Sequence, residues 1–146
     1  MELTLQTALL NVTDLQQSID FYREVLELRL ASQRDQVAAL IIDEKDRSQV
    51  LTLRELGRSP LRPGRGNVGV RLLSFEVGSL GDLDVIEQRL VRRDALVWRR
   101  RTKAFTAIMG LDPDRIEIAI SASNVPGSPI LNEDWDEIDD TIYAIE

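Results

Sequence analysis

The feature that most constrains the fold is an internal repeat across the two halves of the chain. Segment 12–15 (VTDL) matches segment 77–80 (VGSL) at an offset of 65 residues. Each copy joins an apolar strand pattern to an amphipathic helix pattern. A repeat of only two units predicts paired modules that share a sheet, rather than a solenoid.

Both modules predict the element order strand, helix, strand, strand, strand. In the first module, residues 3–56, Asp14 caps the helix; in the second, residues 68–121, Ser79 does so. The fold class is therefore α+β, with two βαβββ modules in tandem forming one open, barrel-like sheet with a cleft. The predicted strands are 3–12, 28–34, 37–43, 49–55, 68–77, 95–101, 104–110 and 115–121.

The length and the loop composition predict one domain followed by a tail. A chain of 146 residues fits a single domain, which we place at 1–122, with an acidic tail at 123–146. Residues 57–67 (GRSPLRPGRGN) are rich in glycine and proline and form the linker between modules. The linker region contains a G-x-G-x-x-G pattern at 64–69, but this pattern precedes a strand instead of opening a helix, so we reject nucleotide binding there.

The net charge of −7 belongs to the tail. Residues 123–146 carry seven acids and no base, so 1–122 hold 18 acids and 18 bases. Apolar residues in the tail are spaced as on one helical face, and Asn132 is a suitable N-cap. We predict a short helix that docks on the body or on a partner subunit. The apolar residues are Trp135, Ile138, Ile142 and Ile145.

Two missing residue types exclude several kinds of chemistry. The sequence contains no cysteine and no histidine. Disulfides, thiolate metal sites and Ser-His or Cys-His nucleophiles are therefore excluded. The N-terminus MELTLQT lacks the basic and apolar regions of a signal peptide, and no apolar run approaches the length of a membrane span, so we expect a cytoplasmic protein.

Three segments together resemble a known superfamily. They are 12–28 (VTDLQQSIDFYREVLEL), 72–84 (LLSFEVGSLGDLD) and 112–118 (DPDRIEI). Their combination is similar to the vicinal oxygen chelate superfamily, the group of glyoxalases, bleomycin-resistance proteins and extradiol dioxygenases, over residues 3–121. The resemblance implies a cleft made by two βαβββ modules, often completed by dimerisation. It also implies, for the enzymes, a divalent metal held by the first and last strands of each module.

The resemblance implies that the family's metal positions correspond to Thr7, Thr52, Leu72 and Glu117; the offset of 65 also carries the first pair onto the second. The resemblance implies His or Gln near the first position, His near the third and Glu at the fourth, with a further Glu near the second in glyoxalases. Of these expectations, only the glutamate at position 117 is met. Zinc needs three or four nitrogen, oxygen or sulfur ligands, and oxygenase iron two histidines and a carboxylate, so we predict no metal and no cofactor.

Glu117 raises a separate question, because it interrupts the apolar strand of DPDRIEIAI (112–120). A buried carboxylate without a metal is paired, hydrogen-bonded or protonated. Strand alternation places Arg115 on its face and Arg54 on the face of Thr52. The carboxylate could therefore form a structural pair with an arginine, contact a ligand, or lie in solvent.

Two further features have more than one interpretation. Six basic residues surround the second helix and the following hairpin; they could bind an anion or nucleic acid, form a solvated face, or pair with the acidic tail. Because aromatic residues make up only 5% and the body is neutral, we expect neither nucleic acid nor membrane as partner. Trp98 could stack on a flat ligand, or pack in the core or at a dimer contact. The basic residues are Arg92, Arg93, Arg99, Arg100, Arg101 and Lys103.

The sequence thus predicts a metal-free, homodimeric protein that sequesters a small organic ligand, as bleomycin-resistance proteins do. The alternatives are a metal-dependent lyase, epimerase or dioxygenase, and an interaction module that uses the acidic tail. No catalytic residue is predicted. The ligand-binding candidates are Thr7, Thr52, Arg54, Leu72, Ser74, Trp98, Arg115 and Glu117.

Overall fold

The protein is described by a computed structural model, which covers residues 1, 3, 5–42, 45, 49–57 and 72–130. The chain divides into two compact units, Met1–Arg62 and Pro63–Glu146. The predicted tail helix lies outside the described residues, as does the predicted linker apart from Gly57.

The first unit has the order strand, helix and three strands. The helix α1 contacts the three strands that follow it. The sheet has the order β1-β4-β3-β2, in which β1 pairs in parallel with β4 and the other pairs are antiparallel. Its elements are β1 (Thr7–Val12), α1 (Leu15–Leu26), β2 (Arg29–Arg34), β3 (Val37–Ile41) and β4 (Val50–Glu55).

The second unit repeats this arrangement. Its sheet has the order β5-β8-β7-β6, again with one parallel pair, β5 with β8. Its elements are β5 (Leu72–Glu76), α2 (Leu80–Arg92), β6 (Leu96–Arg101), β7 (Phe105–Leu111) and β8 (Glu117–Ser123).

These elements confirm the α+β class and the two tandem βαβββ modules. The described strands form two four-stranded sheets, one in each module. In each sheet, the first strand of the module pairs in parallel with the last strand of the same module. No helix in the described part of the chain is long and apolar enough to cross a membrane.

The helix starts lie at the predicted caps. The Asp14 side chain accepts a hydrogen bond from the Gln17 N–H at 3.0 Å, and the Ser79 hydroxyl accepts one from the Asp82 N–H at 3.1 Å. Such caps satisfy N–H groups that have no partner within the helix. A carboxylate from the sheet also contributes, because Glu55 Oε1 accepts from the Leu15 N–H at 2.9 Å.

In the first sheet, one face is buried under α1. The buried strand residues alternate with exposed or half-buried ones, as expected for a half-covered antiparallel or mixed sheet. On α1, Leu15, Ile19, Tyr22 and Val25 are buried at helical spacing, while Leu26 is only half-buried. The buried residues that follow this alternation are Leu10, Val12, Ala38, Leu40, Leu51 and Leu53; Ile41, at the end of β3, is buried as well.

In the second sheet, Gly110 identifies the face that packs on α2. A Cβ at Gly110 would lie 2.8 Å from a methyl carbon of Leu90, which is fully buried on α2. By alternation, Ile108 points to the same side, and its β8 partner Ile120 does so as well. On α2, Leu83, Ile86 and Leu90 are all buried.

Candidate functional site

The open face of the first sheet brings two predicted site residues together. Thr7 and Thr52 lie on the neighbouring strands β1 and β4, and their Oγ1 atoms are 2.8 Å apart in a hydrogen bond. Residues 51, 53 and 55 point toward α1, since Leu51 and Leu53 are buried and Glu55 caps that helix. Thr52 therefore lies on the opposite face, where its hydroxyl is accessible to a ligand.

The same face carries Arg54 and exposed aliphatic side chains. Arg54 is exposed and shares the face of Thr52, as predicted. It lies opposite Asn11 on β1 and Val37 on β3. Leu9, opposite Thr52, is 55% exposed, and Val37 is 40% exposed. This face thus presents threonine hydroxyls and aliphatic side chains, and the row at one end carries the guanidinium of Arg54 and the amide of Asn11.

The second sheet brings four more candidates to one face. Leu72 lies opposite Glu117, and Ser74 lies in a row that runs through β8 and β7 to Trp98 on β6. This is the face turned away from α2, because the alternate residues contact that helix. The structure thus places Thr7, Thr52 and Arg54 on one sheet face, and Leu72, Ser74, Trp98 and Glu117 on another.

Arg115 does not share the strand of Glu117. Strand β8 begins at Glu117, and Arg115 lies before it with a φ of 68°, in the left-handed region. Strand alternation therefore does not extend to Arg115, so the strand that was predicted from residue 115 begins at Glu117 and alternation no longer supports placing Arg115 on the face of Glu117. Glu117 is half-buried, with its Oε2 atom buried, and its role as a structural partner or a ligand contact stays a prediction.

The turn before β8 is held by a buried aspartate. Asp112 Oδ1 accepts hydrogen bonds from the N–H groups of Asp114 and Ile116, both at 2.8 Å. The Asp112 carbonyl also accepts from the Arg115 N–H at 2.9 Å. This turn, and not a continuous strand, sets where Glu117 enters the sheet.

The strand pairing changes the equivalence between the modules. Thr7 lies opposite Val50, whereas Leu72 lies opposite Glu117. If Leu72 corresponds to Thr7, then Glu117 corresponds to Val50, at an offset of 67 and not 65. Thr52 and Val50 are two residues apart and therefore share a face of the first sheet. The predicted face is right, but the residue that matches Glu117 is Val50 and not Thr52.

The segment that follows β8, which the sequence did not predict, covers part of the second sheet on the face turned away from α2. Buried Phe105 and Ala107 pack against Trp98 and Ile130. The segment is fixed at its start by Asn124, whose side chain donates to the Thr102 carbonyl at 2.8 Å and accepts from the Thr106 hydroxyl at 2.7 Å. Trp98 thus packs against core residues, as one of its predicted interpretations stated. The turn sequence VPGSP at 125–129 is the sequence signal that could have indicated a turn after this strand.

The residues at the family's metal positions do not fit a metal ion. Threonine hydroxyls are weak ligands, and those of Thr7 and Thr52 are joined to each other. Leu72 has no donor atom, which leaves the carboxylate of Glu117. In the described ranges, no group of three or more His, Cys, Asp or Glu residues could hold a metal.

Several solved structures have the same fold and align with most of the chain. A glyoxylase/bleomycin resistance protein/dioxygenase domain from Frankia sp. EAN1pec is 23% identical, with a TM-score of 0.72, covering 85% of this chain and 93% of that one. A lactoylglutathione lyase from Agrobacterium tumefaciens is 18% identical, with a TM-score of 0.62 and coverages of 82% and 92%. The fosfomycin resistance protein FosX from Listeria monocytogenes is 16% identical, with a TM-score of 0.68 and coverages of 92% and 98%. At these identities the likeness establishes the fold alone.

Comparison with curated proteins found no significant match. A family model does match, over residues 4–120, which is more than half of the chain. This match agrees with the order of elements and with the structural neighbours. The chain therefore belongs to the Glyoxalase/Bleomycin resistance protein/Dioxygenase superfamily.

Proposed function

We propose that this protein binds a small organic molecule without a metal ion, using the open face of the β1–β4 sheet. The observation that supports the proposal is the Thr7–Thr52 hydroxyl pair, 2.8 Å apart, on the sheet face to which the resemblance assigns the metal ligands of the superfamily's enzymes. Hydroxyls can donate and accept hydrogen bonds to a ligand, but they do not replace the nitrogen donors of a zinc or iron site.

The chemistry of this face favours a ligand with an apolar body and an acidic or acceptor group. Leu9 and Val37 offer exposed aliphatic surface, and burying such surface contributes roughly 25 cal/mol per Å². Arg54, in the next row, presents a guanidinium, which pairs well with a carboxylate. Ligand pockets in general combine mostly apolar lining with a few polar groups.

A matched panel of compounds tests this proposal. Thermal shifts of the purified full chain are measured with aromatic carboxylates, each compared with its methyl ester. We expect carboxylates to stabilise the protein more than their esters, because only the carboxylate forms a charge-assisted hydrogen bond with Arg54. Equal effects of acid and ester would contradict the role of Arg54, and no shift with any compound would contradict ligand binding.

Variants of the face are expected to weaken binding of a carboxylate from that panel. Arg54→Gln should raise its Kd at least about tenfold, because a hydrogen bond to a charged group contributes about 1.5–3 kcal/mol and each 1.4 kcal/mol is a factor of about ten. Thr52→Val, which keeps the side-chain shape, should raise the Kd roughly fivefold. Isothermal titration calorimetry measures both. Arg34→Gln, an exposed arginine at the end of β2, serves as the charge-matched control and should change nothing.

A further inference from the structure

Two arginines lie in one row of the open face of the first sheet. Arg54 on β4 is paired with Val37 on β3, and Val37 is paired with Arg34 on β2. Directly paired residues of antiparallel strands point to the same side of a sheet, so all three side chains share the face of Thr52. Arg34 was not among the ligand-binding residues predicted from the sequence, and the strand pairing adds it to this face.

The hairpin between β2 and β3 fixes the backbone position of Arg34. Two residues, Asp35 and Gln36, join Arg34 to Val37, and Asp35 has a φ of 55°. The Gln36 carbonyl accepts a hydrogen bond from the Glu55 N–H at 2.8 Å, which ties this turn to the end of β4. The row from Arg34 to β4 is therefore held in register by the strand pairing and by the turn.

Neither arginine is occupied by a carboxylate of the described chain. Arg34 and Arg54 are both exposed, and within the described ranges neither of them forms an ion pair. Glu55, which follows Arg54, points to the other face, where it accepts the Leu15 N–H. Asp35, which follows Arg34, is exposed and lies in the turn. The row therefore presents two guanidinium groups whose donors can bind an anion.

The spacing of the two arginines suits a ligand with two separate acidic groups. Neighbouring strands lie about 4.7–4.9 Å apart, so the backbones of Arg34 and Arg54 are roughly 10 Å apart, with β3 between them. Val37 lies between the two side chains, is 40% exposed, and can contact the apolar body of a ligand. The two like charges repel each other in the free protein, and a ligand with two negative charges offsets this repulsion.

We propose that the ligand of this face is an organic dicarboxylate, with one carboxylate on Arg54 and the other on Arg34. This inference rests on the ligand site proposed above and specifies the class of its ligand. A compound with a single carboxylate binds Arg54 beside the threonine pair and does not use Arg34, whereas a second carboxylate reaches Arg34 across Val37. Arginine suits both contacts because its planar guanidinium binds a carboxylate through two hydrogen bonds.

Matched pairs of compounds test the ligand class. Isothermal titration calorimetry of the purified full chain compares terephthalate with its monomethyl ester, which has the same ring and one charge. Adipate and its monomethyl ester repeat the comparison with a flexible spacer. The net charge of the chain is −7, so its overall field does not favour a diacid. We expect the diacid of at least one pair to bind at least about tenfold more tightly, because it forms a second charge-assisted contact.

Equal affinities within both pairs would overturn the dicarboxylate assignment and leave the proposed ligand site standing. If none of the four compounds bound, the result would contradict the assignment and the ligand site together.

A substitution of Arg34 tests the second contact. Arg34→Gln should weaken binding of the tighter diacid about tenfold, to the affinity of its monoester, and should leave the monoester unchanged. Arg23→Gln is the control, because Arg23 is exposed on α1, which covers the other face, and its loss changes the net charge equally. Circular dichroism shows whether both variants are folded. No loss of diacid affinity in folded Arg34→Gln, or an equal loss in Arg23→Gln, would refute a contact at Arg34.

Discussion

Replacing Asp112 with alanine is expected to lower the free energy of unfolding by about 3 kcal/mol, because a hydrogen bond to a charged group contributes about 1.5–3 kcal/mol. The side chain is 4% exposed and accepts from two backbone N–H groups, those of Asp114 and Ile116, each at 2.8 Å. Alanine leaves both N–H groups without this acceptor in a site that water hardly reaches. Urea unfolding followed by circular dichroism measures the change.

Asp112→Asn is the matched control for this substitution. The amide oxygen keeps an acceptor in the place of Oδ1, so the expected loss is about 1 kcal/mol. If the alanine and asparagine variants lose the same amount, the two backbone hydrogen bonds do not explain the stability of the turn. A change in the urea m-value would show that the unfolded ensemble or the cooperativity had changed instead.

Gly110→Ala is the second substitution with a large expected effect, a loss of about 1–3 kcal/mol from overpacking. The added Cβ would lie 2.8 and 2.9 Å from the two methyl carbons of Leu90 and 3.1 Å from the Ala95 carbonyl oxygen. Leu90 is fully buried, and the Ala95 carbonyl accepts the Leu111 N–H at 2.9 Å, so neither neighbour can move freely. The same urea titration measures the loss.

Gly78→Ala is the control for Gly110→Ala. A Cβ at Gly78 would meet nothing within 4 Å, so stability should change by less than about 0.5 kcal/mol. Near-equal effects at the two glycines would mean that the contact with Leu90 does not determine the change in the free energy of unfolding. A neutral Gly110→Ala would contradict the close packing of α2 on β7.

Local chemistry explains what the sequence predicted well. Both helix starts follow from a side-chain oxygen placed before an apolar helical pattern, and Asp14 and Ser79 cap as expected. The turn after β2 lies at Asp35, whose φ of 55° suits an aspartate. Alternation also placed Thr52 and Arg54 on one face correctly.

Long-range geometry explains what the sequence did not predict. A constant offset of 65 assumes that the two modules have equal numbers of residues between corresponding strands. The strand pairing instead matches Glu117 with Val50, two residues before Thr52. Alternation was also extended to Arg115, which the Asp112 turn removes from the strand. The covering of Phe105 by Ile130 depends on a tertiary contact that no periodic pattern encodes.

The donor set at the four positions that the resemblance assigns to metal ligands contains one carboxylate and no nitrogen ligand. A lyase or dioxygenase mechanism that relies on a divalent ion requires ligands that Thr7, Thr52 and Leu72 do not supply. Histidine is absent from the whole sequence, so no change of register can provide it. Glu117, with one buried oxygen, is the single carboxylate among the four positions.

Metal analysis tests this central claim most directly. The purified full chain and Glu117→Gln are incubated with Zn²⁺, Mn²⁺, Ni²⁺ or Fe²⁺, dialysed, and compared for bound metal by mass spectrometry and for Tm with and without a chelator. We expect far less than one ion per chain in both proteins and no effect of the chelator on Tm. One tightly held ion per chain that survives dialysis and is lost in Glu117→Gln would contradict a metal-free site.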